Sequence, residues 1–157
     1  MPRLVFIAAA NRQPTWVEDG YEEYAKRLRG RSTLEIKVVA LAPRTKAASP
    51  ARAVEDEGER LLKAVPAGAR IVVLDEGGTR HSTAGLAERL DEWDRLGAPV
   101  AFLIGGPDGL SRACFERAAE TWSLSPLTLP HGLVRIVAAE ALYRAASLLA
   151  GHPYHRA

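Results

Sequence analysis

Residues 121–156, TWSLSPLTLPHGLVRIVAAEALYRAASLLAGHPYHR, decide how the chain is interpreted. They predict a short strand, a loop with two prolines, a long apolar helix and a histidine-rich tail in immediate succession. From Pro130 onward apolar residues recur every three or four positions, and Gly151 followed by Pro153 ends the helix. Because apolar residues cover more than one face, we expect this helix to be buried on two sides, against its own sheet and against a second subunit.

The rest of the chain alternates buried strands with helices. We predict strands at 4–9, 34–41, 69–75, 99–104 and 122–124, and further helices at 16–28, 51–65, 82–96 and 111–120. Trp16, Tyr24 and Leu28 are assigned to the core, and residues 76–81 to a glycine-rich turn. The alternation predicts a single α/β domain over residues 1–157, whose mostly parallel sheet carries helices on both faces.

Composition excludes several classes of protein. The 157 residues suffice for one well-buried core and are too few for two ordinary domains. No apolar run approaches the roughly 20 residues that span a bilayer, and the N-terminus does not resemble a signal peptide, so we expect a cytoplasmic protein without a membrane partner. The single cysteine, Cys114, excludes an intrachain disulfide and is expected to be a small buried core residue.

Charge gives a weaker indication of a partner. The net charge of +2 does not by itself indicate a nucleic acid. Residues 26–46, however, contain seven lysines and arginines and one glutamate. This basic segment is either a phosphate-contacting surface or an ordinary solvated helix end and loop, and the sequence leaves both interpretations open.

Three segments follow predicted strands and are candidates for a ligand site, because ligands of parallel sheets bind beyond the carboxyl ends of the strands. They are residues 74–78, 104–109 and 123–130. The GGPDG turn at 105–109 permits a close backbone approach, but it is equally explained as a tight strand-to-helix connection. The turn matches neither the P-loop pattern nor the Gly-x-Gly-x-x-Gly fingerprint.

Three of the four histidines fall within residues 131–155. A metal site is disfavoured, because the spacing lacks the His-x-x-x-His helical pattern and no carboxylate adjoins the histidines, so we predict no metal. The C-terminal cluster around Tyr154 is either a frayed tail or a segment that docks, and we favour docking.

Three separated motifs stand out: FLIGGPDGLS at 102–111, WSLSPLTLPHGLVRIVAAEALYRA at 122–145 and HPYHR at 152–156. Together they resemble those of the RlmH family, bacterial methyltransferases of a pseudouridine in large-subunit ribosomal RNA. EGERLL at 57–62 and VVLDEGG at 72–78 extend the resemblance over nearly the whole chain. The first strand departs from the family, because an Ala-Ala-Ala-Asn run at 8–11 stands where a glycine is usual.

This resemblance implies a SPOUT-type fold with a C-terminal trefoil knot, a homodimer, and S-adenosyl-L-methionine as the methyl donor. The implied reaction is methylation of N3 of pseudouridine 1915 in 23S ribosomal RNA, on the assembled ribosome. Carried over to this sequence, the cofactor contacts fall on Leu74, Gly105, Leu124, Ser125, Pro126, Leu127, Thr128 and Leu129.

For the chemistry we hypothesise that His131, Arg135, Tyr154 and His155 cluster around the cofactor loop and form the substrate side. Arg135 would steady phosphate or developing negative charge, and a histidine or water would take the N3 proton. Glu140 is a weaker candidate, because a helical pair with Arg144 already explains it.

Two other functions stay open. A ribosome-binding module that has lost catalysis would keep the basic segment but show damaged cofactor loops. The second alternative is a methyltransferase of the same fold that acts on transfer RNA, and the HPYHR tail argues against it.

Overall fold

Five parallel strands and five α-helices alternate in the computed structural model, which describes residues 1–45 and 49–155 and, of His155, only the backbone. In chain order they are β1 (Arg3–Ala9), α1 (Thr15–Leu28), β2 (Thr33–Val39), α2 (Pro50–Ala64), β3 (Arg70–Arg80), α3 (Thr83–Leu96), β4 (Val100–Ile104), α4 (Arg112–Arg117), β5 (Glu120–Ser123) and α5 (His131–Leu149), followed by a 3-10 helix (Pro153–His155). Every predicted strand and helix is present, and the α/β class is confirmed. None of the helices in these residues is long and apolar enough to cross a bilayer.

The sheet has the strand order β2-β1-β4-β3-β5, and all its pairs are parallel. Helices cover both faces of the sheet. Alternate residues of each strand point to opposite faces, so each strand contributes to both layers of the core. In β1, Leu4, Phe6 and Ala8 pack with α1, α3 and α5, whereas Val5, Ile7 and Ala9 pack with α2 and α4. The strands are therefore apolar on both faces, as buried parallel strands are.

Aromatic rings fill the core on the α1, α3 and α5 face. Trp93 of α3 stacks on Trp122 of β5, with ring centroids 5.3 Å apart and planes 13° from parallel. Phe102 meets both indoles edge-on, at 6.0 and 5.4 Å. These contacts fix α3 against β4 and β5, whose carboxyl ends begin two of the candidate ligand segments.

Serine side chains begin three of the helices. Ser49, Ser82 and Ser111 each accept a hydrogen bond from a backbone N–H in the first turn of α2, α3 and α4, respectively. The predicted helix at 82–96 thus has Ser82 as its N-cap. Cys114 is fully buried, as predicted.

The prediction of a turn at 76–81 is wrong, because β3 continues to Arg80. Both Leu74 and Thr79 oppose Trp122 of β5, so the register shifts between them and residues 75–78 form an irregular bulge within the strand. A Cβ atom at Gly78 would lie 2.7 Å from backbone atoms of β5, so this close approach requires glycine.

The assignment of Trp16 to the core is also wrong, since this residue is 59% exposed. The buried face of α1 is formed by Val17, Tyr21, Ala25 and Leu28. Trp16 lies one position, or about 100° of helical rotation, away from Val17 and therefore faces solvent.

Helix α5 is covered on more than one side by its own chain. It packs between α1 and α3 on the sheet. Glycines permit the close approach of α1, because a Cβ atom at Gly20 would lie 2.8 Å from Ile136, and one at Gly132 would lie 2.9 Å from Val17. Most of its apolar surface is thereby explained, and Leu133, Val137 and Leu149 remain partly exposed.

Candidate active site

A cavity of about 1040 Å³ opens at the carboxyl ends of the strands. Its volume lies at the upper end of the range for small-molecule sites, about 300–1,000 Å³. The walls come from the segments that follow β1, β2 and β4, from the bulge in β3, and from the loop that joins β5 to α5. All three segments selected from the sequence meet here.

Seven of the eight predicted cofactor residues line this cavity: Leu74, Gly105, Leu124, Ser125, Leu127, Thr128 and Leu129. Pro126 is exposed and does not line it. Sequence reasoning missed the wall formed by Ala9, Ala10, Asn11, Gln13 and Leu41. The signal was available, because β1 is a buried parallel strand and its carboxyl end must reach the same edge as that of β4.

Hydrogen bonds hold the loop between β5 and α5 in place. The Ser123 hydroxyl donates to the Ser125 carbonyl, and the Ser125 hydroxyl accepts from the backbone N–H of Leu127, both at 2.9 Å. Thr128 donates to a carboxylate oxygen of Glu76 at 2.5 Å, which ties the loop to the bulge in β3. Two parts of the cavity wall, the loop between β5 and α5 and the bulge in β3, are therefore connected.

The GGPDG turn closes on itself. The Gly109 N–H donates to the Gly106 carbonyl at 3.0 Å, and Gly109 has a φ of 85°. A Cβ atom at Gly105 would lie 2.7 Å from the Gly109 carbonyl carbon and 3.0 Å from Leu110. Glycine at both ends is thus a geometric requirement of this cavity wall.

The charged groups that line the cavity are acidic. Asp75, Glu76 and Asp108 face it, and its described lining contains no lysine or arginine. In the described part of the chain no group of three or more histidine, cysteine, aspartate or glutamate side chains is arranged to hold a metal ion. Such a cavity suits a cationic ligand better than a phosphate.

His131 begins α5 and lines the cavity, where Arg135 fixes its tautomer. The Arg135 Nη2 is 2.7 Å from His131 Nε2. Since a guanidinium only donates, Nε2 accepts and the proton of the neutral ring is on Nδ1. Burial lowers the pKa of His131 to about 4, and the Arg135 charge acts in the same direction, while the Gly105 backbone opposes both. At neutral pH His131 is therefore an uncharged ring and a weak base.

This lowered pKa predicts a pH dependence of stability. The folded-state pKa of His131 lies below its ordinary value of 6.5, so its contribution is present above pH 6.5 and is lost as the pH falls toward 4. The shift alone corresponds to about 3 kcal/mol, which partial exposure of the ring reduces to about 1–2 kcal/mol. We expect urea unfolding to show that the wild type loses this much more free energy than His131→Gln between pH 7.5 and 4.5. An equal loss of unfolding free energy in the two proteins would contradict the lowered pKa of His131.

Arg135 is buried behind His131, with only 4% of its surface exposed, and does not line the cavity. In this chain Arg135 therefore contacts His131 and does not reach the cavity surface, and its role toward the RNA stays a prediction. None of the ion pairs in the described part of the chain involves it. Its Nε, the Tyr21 hydroxyl and His131 Nδ1 are buried without a hydrogen-bond partner among the described residues.

Tyr154 docks far from His131 on the same chain, so these two residues do not meet at one cofactor loop within one chain. Its hydroxyl donates to Glu140 at 3.0 Å, and its ring lies 4.6 Å from that of Tyr143. Nine residues separate Glu140 from His131, which is about 14 Å along the helix. The physical reason is that the tail folds back on the C-terminal half of α5, whereas the cavity lies at its N-terminal end.

The tail is therefore docked, as favoured from the sequence, at least up to the 3-10 helix. Burial and then the hydrogen bond to Glu140 raise the pKa of Tyr154 to about 12, so its phenol is protonated at neutral pH. The side chain of His155 and all of Arg156 lie outside the described residues.

The basic segment at 26–46 is largely neutralised by its own neighbours. Its ion pairs are Lys26 and Arg27 with Glu23, Arg29 with Glu22, and Arg44 with Glu57 and Asp108, while Lys46 lies outside the described residues. Paired side chains offer less attraction to phosphate, so the interpretation as an ordinary solvated surface is favoured.

Comparison with known proteins adds independent information. A family model described as "Predicted SPOUT methyltransferase" matches residues 3–155. The ribosomal RNA large subunit methyltransferase H of Methylococcus capsulatus is 51% identical over 154 residues, which cover 98% of this chain and 99% of that protein. The proteins of the same name from Thioalkalivibrio sulfidiphilus and Alkalilimnicola ehrlichii are 51% and 50% identical, with 98% and 99% of this chain and 99% of each protein covered.

Two solved structures resemble the chain in fold. A probable methyltransferase from Bordetella pertussis matches with a TM-score of 0.54 at 20% identity, covering 92% of this chain and 96% of that one. A probable rRNA methyltransferase from Porphyromonas gingivalis matches with a TM-score of 0.50 at 15% identity, covering 94% and 69%. At these identities the likeness concerns the fold alone.

Proposed function

Because this chain belongs to the RlmH family of SPOUT methyltransferases and is a ribosomal RNA methyltransferase, we propose that it methylates N3 of pseudouridine 1915 in 23S ribosomal RNA, with S-adenosyl-L-methionine as donor. The observation that carries the proposal is the cavity at the carboxyl ends of the strands, lined by seven of the eight residues expected from the family. The substrate is the assembled ribosome, which implies action in the cytoplasm.

The cavity fits this cofactor in shape and charge. Leu74, Leu124 and Leu129 supply apolar walls for an adenine, and irregular backbone beside them supplies donors and acceptors. Glycine at 105 lets the GGPDG turn keep its shape in the cavity wall, because a Cβ atom there would lie 2.7 Å from the Gly109 carbonyl carbon. Asp75 and Glu76 suit a ligand with a positive sulfonium. Bound S-adenosyl-L-methionine supplies an activated methyl group.

The chain's own residues hold the reacting base and manage its N3 proton. Methyl transfer is an in-line displacement that depends mainly on alignment, and the proton on N3 must leave. His131 is poorly suited to take it, because its pKa is low and its Nε2 already accepts from Arg135. It instead contributes a neutral ring to the cavity wall, with its Nδ1 buried and without a hydrogen-bond partner among the described residues. His155 and water remain the proposed proton acceptors.

We further propose a homodimer in which the tail of one chain joins the cavity of its partner. Tyr154 and His131 are at opposite halves of α5, so one chain cannot bring them together. A twofold pairing with antiparallel α5 helices places the C-terminal half of one beside the N-terminal half of the other. The exposed apolar residues Leu133 and Val137, one helical turn apart, provide a surface for such pairing.

The dimer is tested by sedimentation velocity at micromolar concentration. We expect the wild type to sediment as a dimer and Val137→Arg to shift toward the monomer, because an arginine there would bury an unpaired charge. Leu96→Arg is the matched control, since Leu96 is an exposed apolar residue at the end of α3, and it should stay dimeric. A wild-type monomer would reject the dimer.

We also propose that residues 124–149 form the trefoil knot of the SPOUT fold. The position of α5 supports this, because β5 is an edge strand beside β3, yet α5 returns across the sheet to pack between α1 and α3. The irregular loop before α5 lies against the GGPDG turn at the cavity, where a knotted segment would hold the cofactor.

The function is tested by methyl incorporation. Purified protein is incubated with methyl-labelled S-adenosyl-L-methionine and with ribosomes that lack the modification, alongside free 23S ribosomal RNA and transfer RNA. We expect 3-methylpseudouridine on the ribosomes, identified by mass spectrometry of the nucleosides. Label on transfer RNA, or on another nucleotide, would refute the proposed substrate; failure to bind the cofactor would refute the proposed reaction.

A further inference from the structure

A buried carboxylate lies on the face of the sheet opposite His131, outside the site described above. Glu57 of α2 is only 1% exposed. Its Oε2 accepts from the Ala42 N–H at 2.9 Å and from Arg44 Nη1, and its Oε1 accepts from Arg44 Nη2 at 3.1 Å. A buried charge is tolerated only when it is paired, and here a bidentate guanidinium and a backbone N–H satisfy it.

The same arginine reaches the GGPDG turn. Arg44 Nε donates to the Asp108 carboxylate at 3.2 Å. Gly106 of that turn rests directly against Glu57, because a Cβ atom there would lie 2.8 Å from Glu57 Oε1. Gly106 and Asp108 both line the cavity. The guanidinium thus connects a buried carboxylate on α2 with the GGPDG turn in the cavity wall.

We propose that Glu57, Arg44 and Asp108 form a bridge that positions the GGPDG turn for cofactor binding. Glu57 and Arg44 are positioning residues, since neither lines the cavity. The inference rests on the proposed function, because it takes S-adenosyl-L-methionine as the ligand of the turn. It extends the binding machinery to α2, on the far side of the sheet.

The chemistry of arginine makes the bridge testable. A guanidinium presents its donors in a planar fork and serves two carboxylates at once, whereas the ammonium of lysine is a single point charge. Arg44→Lys therefore keeps a positive charge beside Glu57 but loses the arm to Asp108. Asp108→Asn removes the carboxylate charge at the other end of the same arm and leaves the buried pair intact.

The test is a double-mutant cycle on cofactor affinity, measured by calorimetry with S-adenosyl-L-methionine. We expect each single variant to weaken binding roughly two- to five-fold, the range for a partly exposed ion pair. The double variant should be no weaker than the singles, because both remove one interaction. The KM for the cofactor should rise by the same factor, with little change in turnover at saturating cofactor.

Asp56→Asn is the matched control. Asp56 pairs with Arg52 at 3.3 Å on the same helix as Glu57, with exposure similar to that of Asp108, and lies outside the cavity lining. Wild-type affinity in the control and a loss in both singles support the bridge.

Three results would overturn the proposal or its premise. Single variants that bind like the wild type reject the bridge. Additive losses also reject it, because Asp108 would then contact the cofactor independently of Arg44. A wild type that binds no cofactor refutes the proposed function itself, which is a different outcome from either of these.

Discussion

Gly105→Ala is expected to weaken S-adenosyl-L-methionine binding roughly 10- to 100-fold, because overpacking costs about 1–3 kcal/mol. The new Cβ atom would lie 2.7 Å from the Gly109 carbonyl carbon and 2.8 Å from its oxygen. These are backbone atoms of a turn closed by its own hydrogen bond, so they cannot rotate away as a side chain would. The turn must open into the cavity, and calorimetry measures the loss.

Gly85→Ala is the control for this substitution. Gly85 lies in the first turn of α3, where the nearest atom to a Cβ would be the Ser82 hydroxyl at 3.4 Å, an ordinary contact. Alanine favours a helix over glycine by about 0.8–1.0 kcal/mol, so this variant should be no less stable than the wild type and should bind normally. Wild-type affinity in Gly105→Ala would show that the turn does not bind the cofactor.

Arg135→Met is expected to lower the methylation activity without lowering the stability of the fold. Methylation of ribosomes should fall on the order of 100-fold, the effect of misplacing a group at the reacting centre. Cofactor binding should persist, because Arg135 does not line the cavity. The free energy of unfolding should be unchanged or higher, since methionine replaces a buried cation that has no carboxylate partner among the described residues. Initial rates and urea unfolding measure the two quantities.

Arg89→Met provides the contrast. Arg89 is also partly buried, but it pairs with Glu92 and Glu120. Its loss should destabilise the fold by about 1–3 kcal/mol, because both carboxylates lose their ion-pair partner and Glu120 keeps only the hydrogen bond from Trp122. In this interpretation Arg135 acts through His131. NMR of the His131 imidazole should therefore show tautomer exchange and a raised pKa in Arg135→Met. The conservative variant Arg135→Lys should keep part of the activity that Arg135→Met loses. Unimpaired methylation in Arg135→Met would remove this residue from the mechanism.

Much of the fold follows from local pattern. Apolar runs of strand length and amphipathic helices alternate in sequence, and Ser82 marks a helix start by its own side-chain chemistry. The extension of β3 to Arg80 could not be predicted this way, because the strand is held there by pairing with β5, more than 40 residues later. Trp16 was misplaced because hydrophobicity alone does not decide which side of a helix meets the core.

The candidate site, too, could be predicted from the sequence only in part. The segments at the strand ends were predictable, because strand direction alone brings them to one edge. The state of His131 was not, although its spacing from Arg135 shows that the two share a helical face. Its lowered pKa arises mainly from burial, which depends on how α5 packs. The position of Tyr154 likewise depends on the tail folding back onto α5.

The stacked pair of Trp93 and Trp122 has an optical consequence. The chain has three tryptophans, and two of them are buried with their planes 13° from parallel. Coupled indoles give an exciton signal in circular dichroism that disappears when the core opens. Trp16, near the N-terminus of α1, is instead 59% exposed, so we expect it to emit at a longer wavelength than the buried pair. Dichroism is therefore expected to report on the core, and long-wavelength fluorescence on the start of α1, both without a label.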